Sequence, residues 1–308
     1  MIIDVVVTCG DGTEPVLERE LQLLGLTDLR RERGAVLGCG TLEQAARICL
    51  WSRVASRVLL PLFDVESTST DALYDAAVEY PWADVLNPRG TIAVHATAAR
   101  NTKIHTQYVS LKLKDAVVDH CRDHHGVRPS VNVDRPDVPL QVHATLAGFQ
   151  VSIDLSGDSL HKRGYRVAMT DAPLKETLAA TLLMQAGWQE SGSPALVDPM
   201  CGSGTFLIEA AWMAADIAPG INRDYFGFLG FSPFDQAIWK SVRDEALERR
   251  QAGLGKMLPQ FFGFDASEDA VQAARRNVQA AGLDGVITLE RKALYQLRKP
   301  ETAPTTGL

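Results

Sequence analysis

The run DPMCGSGT (198–205) constrains this chain more than any other stretch. It lies between a short apolar strand, ALVDP (195–199), and an apolar helix, TFLIEAAWMAAD (205–216). Only between a strand and a helix does such a glycine turn carry structural meaning. Gly202 and Gly204 let the main chain approach a ligand where a Cβ would clash. The helix that follows offers unpaired N–H groups to a negative group. The pattern then resumes with strand QFFGFD (260–265), helix EDAVQAARRNVQAAG (268–282) and strand GVITLE (285–290). Strands alternating with helices predict a parallel, doubly wound sheet of the Rossmann type.

The details of the turn narrow its ligand. A dinucleotide fingerprint would place a third glycine at position 207, where this chain has Leu207. A carboxylate that accepts from both ribose hydroxyls should close the next strand. Asp224 stands at roughly the usual ~20-residue spacing, but no strand precedes it. Asp265 closes the run FFGF and enters a helix through Ala266 and Ser267, which makes it the better candidate. Residues 217–258, with glycines, aromatics and one charged helix, read as an insertion that explains the longer distance. This pairing points to a nucleoside ligand, and two ordinary α/β turns are the alternative reading. S-adenosylmethionine (SAM) carries an adenosine and a carboxylate but no phosphate, and Asp198 at the strand end suits its cationic amino group. NAD and ATP also require pyrophosphate contacts, and no GxxxxGK[ST] run is present. The candidate cofactor-binding residues are Asp198, Met200, Cys201, Gly202, Ser203, Gly204, Thr205, Asp265 and Ala266.

Upstream, strand 2–8, helix 14–24, two strands flanking Arg33-Gly34, helix 41–51 and strand 54–63 follow one another. That order is the split βαβ, ferredoxin-like one. Thr41 with Gln44 three residues on has capping-box spacing. A second unit places helices over 67–80 and 106–126, a strand over 90–99, and a hairpin over 138–157 about Gly148. A helix over 172–188 opens the third unit. With 308 residues, 46% of them apolar and 22% charged, the chain is long enough for two or three globular domains. The formal charge of −7 excludes a wholly basic nucleic-acid binder but not a local basic face. Five cysteines (9, 39, 49, 121, 201) without a CxxC pair predict free thiols in a reducing cytoplasm. MIIDVVVTCG reads as a first strand, not a signal peptide, and no apolar run approaches the ~20 residues of a membrane helix.

The run DPMCGSGTFLIEAAWMAADIAPG, preceded by SLHKRGYRVAMTDAPLKETLAATLL, closely resembles the RlmL-type family of 23S ribosomal RNA guanine-N2 methyltransferases. The resemblance extends over essentially the whole chain. It implies a ferredoxin-like N-terminal domain (1–65), a THUMP RNA-binding domain (66–160) and a Rossmann-like methyltransferase domain (161–308). It also implies SAM as methyl donor and, as acceptor, a guanine exocyclic amine of large-subunit rRNA. An RNA face has separate support from charge. Between 95 and 170 there are ten Lys/Arg against seven Asp, and all seven histidines of the chain fall there. The candidate RNA-binding residues are Arg100, Asn101, Lys103, His105, Lys112, Lys114, His161, Lys162, Arg163 and Arg166, a mixture suited to backbone phosphates and exposed bases. A solvated charged face is the alternative reading of the same residues.

Other features carry less. His120, His124 and His125 have a metal-like look, but no nearby acid or cysteine completes a site, so no metal is expected. Cys201 has no evident histidine partner. The aromatics of 225–239 would line a cleft or fill a core. The family holds its acceptor amine with an Asn-Pro-Pro-Tyr segment, a positioning effect. No [NDS]PP[YFW] occurs here; Asn87-Pro88-Arg89 is the nearest match, in the wrong domain. The methyltransferase fold is therefore expected to be truncated after about three strands, and no catalytic residue is assigned. The chain itself is expected not to turn over RNA, and the alternative is a non-catalytic THUMP-type RNA-binding module with a structural Rossmann remnant.

Overall fold

The computed structural model describes residues 1–188, 195–256 and 258–298. Its elements run β1 (Ile3–Thr8), α1 (Glu14–Leu23), β2 (Thr27–Glu32), β3 (Ala35–Gly40), α2 (Leu42–Trp51), β4 (Arg57–Val65) and α3 (Thr70–Glu79). There follow β5 (Thr91–Ala98), α4 (Thr106–His125), β6 (Ser130–Val131), β7 (Val138–Ala144), β8 (Phe149–Asp154) and α5 (Glu176–Gln185). The last group is β9 (Ala195–Asp198), α6 (Thr205–Ala214), α7 (Gln236–Leu254), β10 (Gln260–Asp265), α8 (Glu268–Ala280) and β11 (Ile287–Arg291). The tail 301–308 lies outside the described residues.

The ferredoxin-like order is present, and local signals explain its ends. Thr41 caps α2, with the Gln44 N–H on its hydroxyl and the Gln44 side chain accepting from its own N–H. Strand β4 begins three residues later than the apolar run predicts. Buried Glu20 accepts the Ser52 hydroxyl and the N–H groups of Arg53 and Val54, so 52–55 is a capped loop. Helix α4 ends where Gly126 adopts φ +66°, a conformation open to glycine. Helix α5 is shorter than predicted: Pro173 biases the preceding residue away from helix, and Lys175 sits at the N-cap.

Two expected units prove to share one sheet. Its strand order is β2-β3-β1-β4-β8-β7-β5-β6. Strand β4 pairs antiparallel with β1 on one side and with β8 on the other. Along β7, Leu140, Val142 and Ala144 are buried in the core, and the intervening positions are Gln141 and His143. The second sheet is parallel, in the order β11-β10-β9, as the strand–helix alternation predicts.

Residues 217–256 brace the two sheets together. Arg223 donates to the carbonyls of Ser156, Asp158, Ser159 and Lys162, all in the connection after β8. The Arg249 guanidinium lies 3.7 Å from the ring centre of Trp51 and pairs with Asp216, while Arg47 pairs with Glu245. Phe226, Phe228, Phe231 and Phe234 are buried; Phe226 and Phe228 stack on each other and both meet Trp239 edge-on, while Phe234 lies against Phe228. These rings fill a core, not a cleft.

At the centre of the junction lies a buried charge cluster. Glu209 of α6, fully buried, accepts the Tyr165 hydroxyl at 3.1 Å and pairs with Arg163 at 3.5 Å. Arg163 also donates to the carbonyls of Ser52, Arg53 and Leu160. Arg53 reaches the carbonyls of Trp212 and Ile217, and burial pulls its pKa down to about 10. Burial lifts the Glu209 carboxyl above its ordinary value, opposed by the two arginines. Removing one partner of such a cluster leaves a buried charge uncompensated. Glu209→Ala should therefore lose about 3–5 kcal/mol in a urea titration, whereas a loss below about 1 kcal/mol would show that the cluster does not hold the junction.

Candidate functional site

The glycine loop is built from both neighbouring strands. Cys201 N–H donates to the Phe264 carbonyl, and Gly202 N–H donates to Asp265 Oδ2 at 3.0 Å. The other oxygen of Asp265 accepts from Ser267 N–H, which turns the chain into α8. Asp198 Oδ1 accepts from Met200 N–H. Gly202 and Gly204 have φ of +52° and +83°, a region that disfavours side chains. A Cβ on Gly202 would meet nothing within 4 Å, so the loop has open space beside it, while one on Gly204 would press on Ala274 at 3.3 Å. Among the described residues, the N–H groups of Ser203, Thr205 and Phe206 meet no protein acceptor. Helix α6 thus presents the unpaired donors that the sequence predicts.

Electrostatics at the loop disfavour a phosphate. Burial, and then the charge of Asp265, raise the Asp198 carboxyl above its ordinary value. Two carboxylates close enough to perturb one another suit a cation and hydroxyl donors on their side of the loop, and a multiply charged phosphate poorly. Asp265 retains lone pairs for such donors after its two backbone bonds. Burial, Asp198 and Asp265 push the Cys201 thiol up to about 12, so it is protonated and inert at neutral pH. Met200 and Ala266 are exposed beside the loop, and Ser203, Gly204 and Thr205 are buried in it.

Leu207, the departure from the dinucleotide pattern, has a structural counterpart. Gly263 of β10 is the glycine that permits close packing, because an added Cβ would fall 2.5 Å from Leu207 and 2.6 Å from Leu289. The small residue at this contact stands on the strand and not on the helix. Gly263→Ala should cost about 1–3 kcal/mol by overpacking. A denaturant double-mutant cycle with Leu207→Ala should recover part of that cost, whereas additive effects would contradict the contact.

The candidate RNA-binding residues separate into groups. Arg100, Asn101, Lys103 and His105 are exposed together in the loop between β5 and α4. No ion pair engages these cations among the described residues. Lys112, Lys114 and Lys162 pair with Asp71, Asp115 and Asp158, surface contacts that a stronger anion can displace. His161 bonds to Ser159, and burial lowers its pKa, which leaves it uncharged at neutral pH. Two expectations need correction. Arg163 is 1% exposed and spends its donors on main-chain carbonyls, because Glu209 draws its charge into the junction. Arg166 does not face outward either: it pairs with buried Glu176 and bonds to Ser203 and Thr205 in the glycine loop. His120 and His124 stack at 4.2 Å and bond through Nδ1 to carbonyls. No cluster of metal-ligating groups forms among the described residues.

Comparison with known proteins matches this architecture segment by segment. Residues 4–59 match the RlmL ferredoxin-like domain, 67–154 the THUMP domain and 163–305 the "RMKL-like, methyltransferase domain". The ribosomal RNA large subunit methyltransferase K/L of Syntrophotalea carbinolica is 44% identical over 98% of this chain and 42% of its own length. That of Cellvibrio japonicus is 45% identical over 97% of this chain and 40% of its own length. The chain thus spans about two fifths of the length of these relatives. Among solved structures, SMU.472, crystallised with SAH, superposes with a TM-score of 0.85 at 31% identity, over 97% of this chain and 78% of that one. The chain belongs to the RlmL-type family of RMKL-like methyltransferases.

Proposed function

We propose that this chain carries the SAM-binding and RNA-binding parts of a large-subunit rRNA guanine-N2 methyltransferase, one that modifies 23S rRNA in the cytoplasm. The observation that carries the reading is the glycine loop bonded through Gly202 to Asp265 at the end of the neighbouring strand. The names of the relatives and the SAH bound to SMU.472 agree with it. No helix among the described residues is long and apolar enough to cross a membrane. The domain division at 1–65, 66–160 and 161–308 belongs to the same proposal.

Bound SAM supplies a methyl group activated by its sulfonium. The chain's own residues bind and orient the donor. Asp265 accepts from ribose hydroxyls while its backbone bonds keep it fixed. Asp198 faces the amino group of the methionine part, where its neighbour Asp265 reinforces the attraction. The free N–H groups at the start of α6 take the methionine carboxylate. Met200 and Ala266 contribute apolar contact beside the adenosine. The loop 100–105 contacts phosphates through Arg100 and Lys103, with Asn101 and His105 available to sugar and base edges. Lys112, Lys114 and Lys162 widen this field once they exchange their acids for phosphates.

Calorimetry tests the donor half: SAH should bind and NAD should not, and Asp265→Ala should weaken SAH at least about tenfold, the effect of losing a charged hydrogen-bond acceptor. NAD binding, or SAH binding that ignores Asp265, would contradict the reading. For the RNA half, the double variant Arg100→Ala/Lys103→Ala should weaken binding to an rRNA fragment and flatten the dependence of log K on log salt by about two phosphate contacts. An unchanged slope would remove that loop from the interface. RNA binding without SAH binding would favour the non-catalytic module instead.

A further inference from the structure

Residues 163–168 link the two halves of the molecule through opposite attachments. Arg163 is buried among first-domain carbonyls, and Tyr165 donates to Glu209 of α6. Three residues after Arg163, Arg166 engages a different set. Its Nε donates to Glu176 Oε1 at 2.7 Å, and Nη1 to Ser203 Oγ at 3.0 Å. Its Nη2 donates to the Leu174 carbonyl at 2.8 Å and to Thr205 Oγ1 at 3.1 Å. One planar guanidinium therefore joins the linker, the start of α5 and the two residues that flank Gly204. Its side chain is 13% exposed and that of Glu176 is 4% exposed.

A second side chain grips the same loop. Asn277 of α8, fully buried, donates to the carbonyls of Ser203 and Ala168 and accepts the N–H groups of Val167 and Ala168. Ser203 is thus held by its hydroxyl from Arg166 and by its carbonyl from Asn277. These bonds leave the N–H groups of Ser203, Thr205 and Phe206 for a ligand. Fixing a loop before its ligand arrives spares the ligand the cost of ordering it.

Resting on the donor-site reading above, we propose that Arg166 is a positioning residue: its fork holds Ser203 and Thr205 so that the loop's free N–H groups stand ready for SAM. Lysine cannot replace it, because an ammonium is a compact point donor and the guanidinium is a rigid fork with five N–H groups. The residue acts through the loop and not on the RNA.

The test compares the intact chain with Arg166→Lys, Ser203→Ala and Arg249→Ala, the last removing a brace remote from the loop. SAH affinity, RNA-fragment affinity, Tm and amide exchange of the ligand-free peptide 199–206 are read for each. Arg166→Lys should weaken SAH at least about fivefold, the scale of one lost hydrogen bond. It should also speed exchange across 199–206 and leave RNA affinity unchanged. Ser203→Ala should shift both readouts in the same direction by less. Arg249→Ala should lower Tm without moving either. Wild-type SAH affinity with wild-type exchange in Arg166→Lys would overturn the proposal, as would a loss of RNA affinity with unchanged exchange. If the unmutated chain bound no SAH while exchange still rose in Arg166→Lys, the SAM reading would fail and the positioning role would stand.

Discussion

The Glu209 carboxylate, buried between Arg163 and Arg53, is the contact on which the rest of the molecule depends. Each group comes from a different place: α6 of the parallel sheet, the linker, and the loop after α2. The cluster is not a cheap way to stabilise a core. Arg53 Nη1, Arg163 Nε and Glu209 Oε2 have no hydrogen-bond partner among the described residues, so their desolvation is only partly offset. What it specifies is how the segments meet, since moving one of them away would leave a buried charge of the others unpaired. The aromatic insertion and the Arg223 clamp then close over that junction.

From this junction the linker carries order to the glycine loop. Arg163 fixes one end of the RGYR segment and Arg166 meets the loop at the other. The two surfaces that matter chemically stay apart in character. The glycine loop is rimmed by Asp198 and Asp265 and disfavours phosphate; the 100–105 loop offers cations without acidic partners among the described residues. The overall charge of −7 is a sum over the whole chain and describes neither environment.

Local signals in the sequence were legible because neighbours within a few residues decide them. The Thr41–Gln44 cap, the Gly126 helix stop and the strand–GSG–helix turn are of this kind, and so is the pairing of the turn with Asp265 through strand order. Burial of a charge is decided by partners far along the chain. HKRGYR therefore reads as an RNA-facing basic run until Glu209, 46 residues beyond Arg163, draws that arginine inward. Arg166 was hidden for the same reason, because Ser203 and Thr205 lie well downstream. The double role of β4 had no local mark either: its apolar run fits one sheet neighbour as well as two. Leu207 pointed away from a dinucleotide, but only the contact with Gly263 explains how the helix still packs closely.

A buried junction of this kind should make one cooperative body of the first sheet, the linker and the glycine loop. Amide exchange followed through a urea titration tests it most directly, with peptides from β1–β4, from 163–168 and from α6–β10 read in parallel. All three should lose protection at a common urea concentration, and Glu209→Ala should move them together. Loss of protection from α6–β10 at lower urea, with β1–β4 still protected, would show independent domains and contradict it.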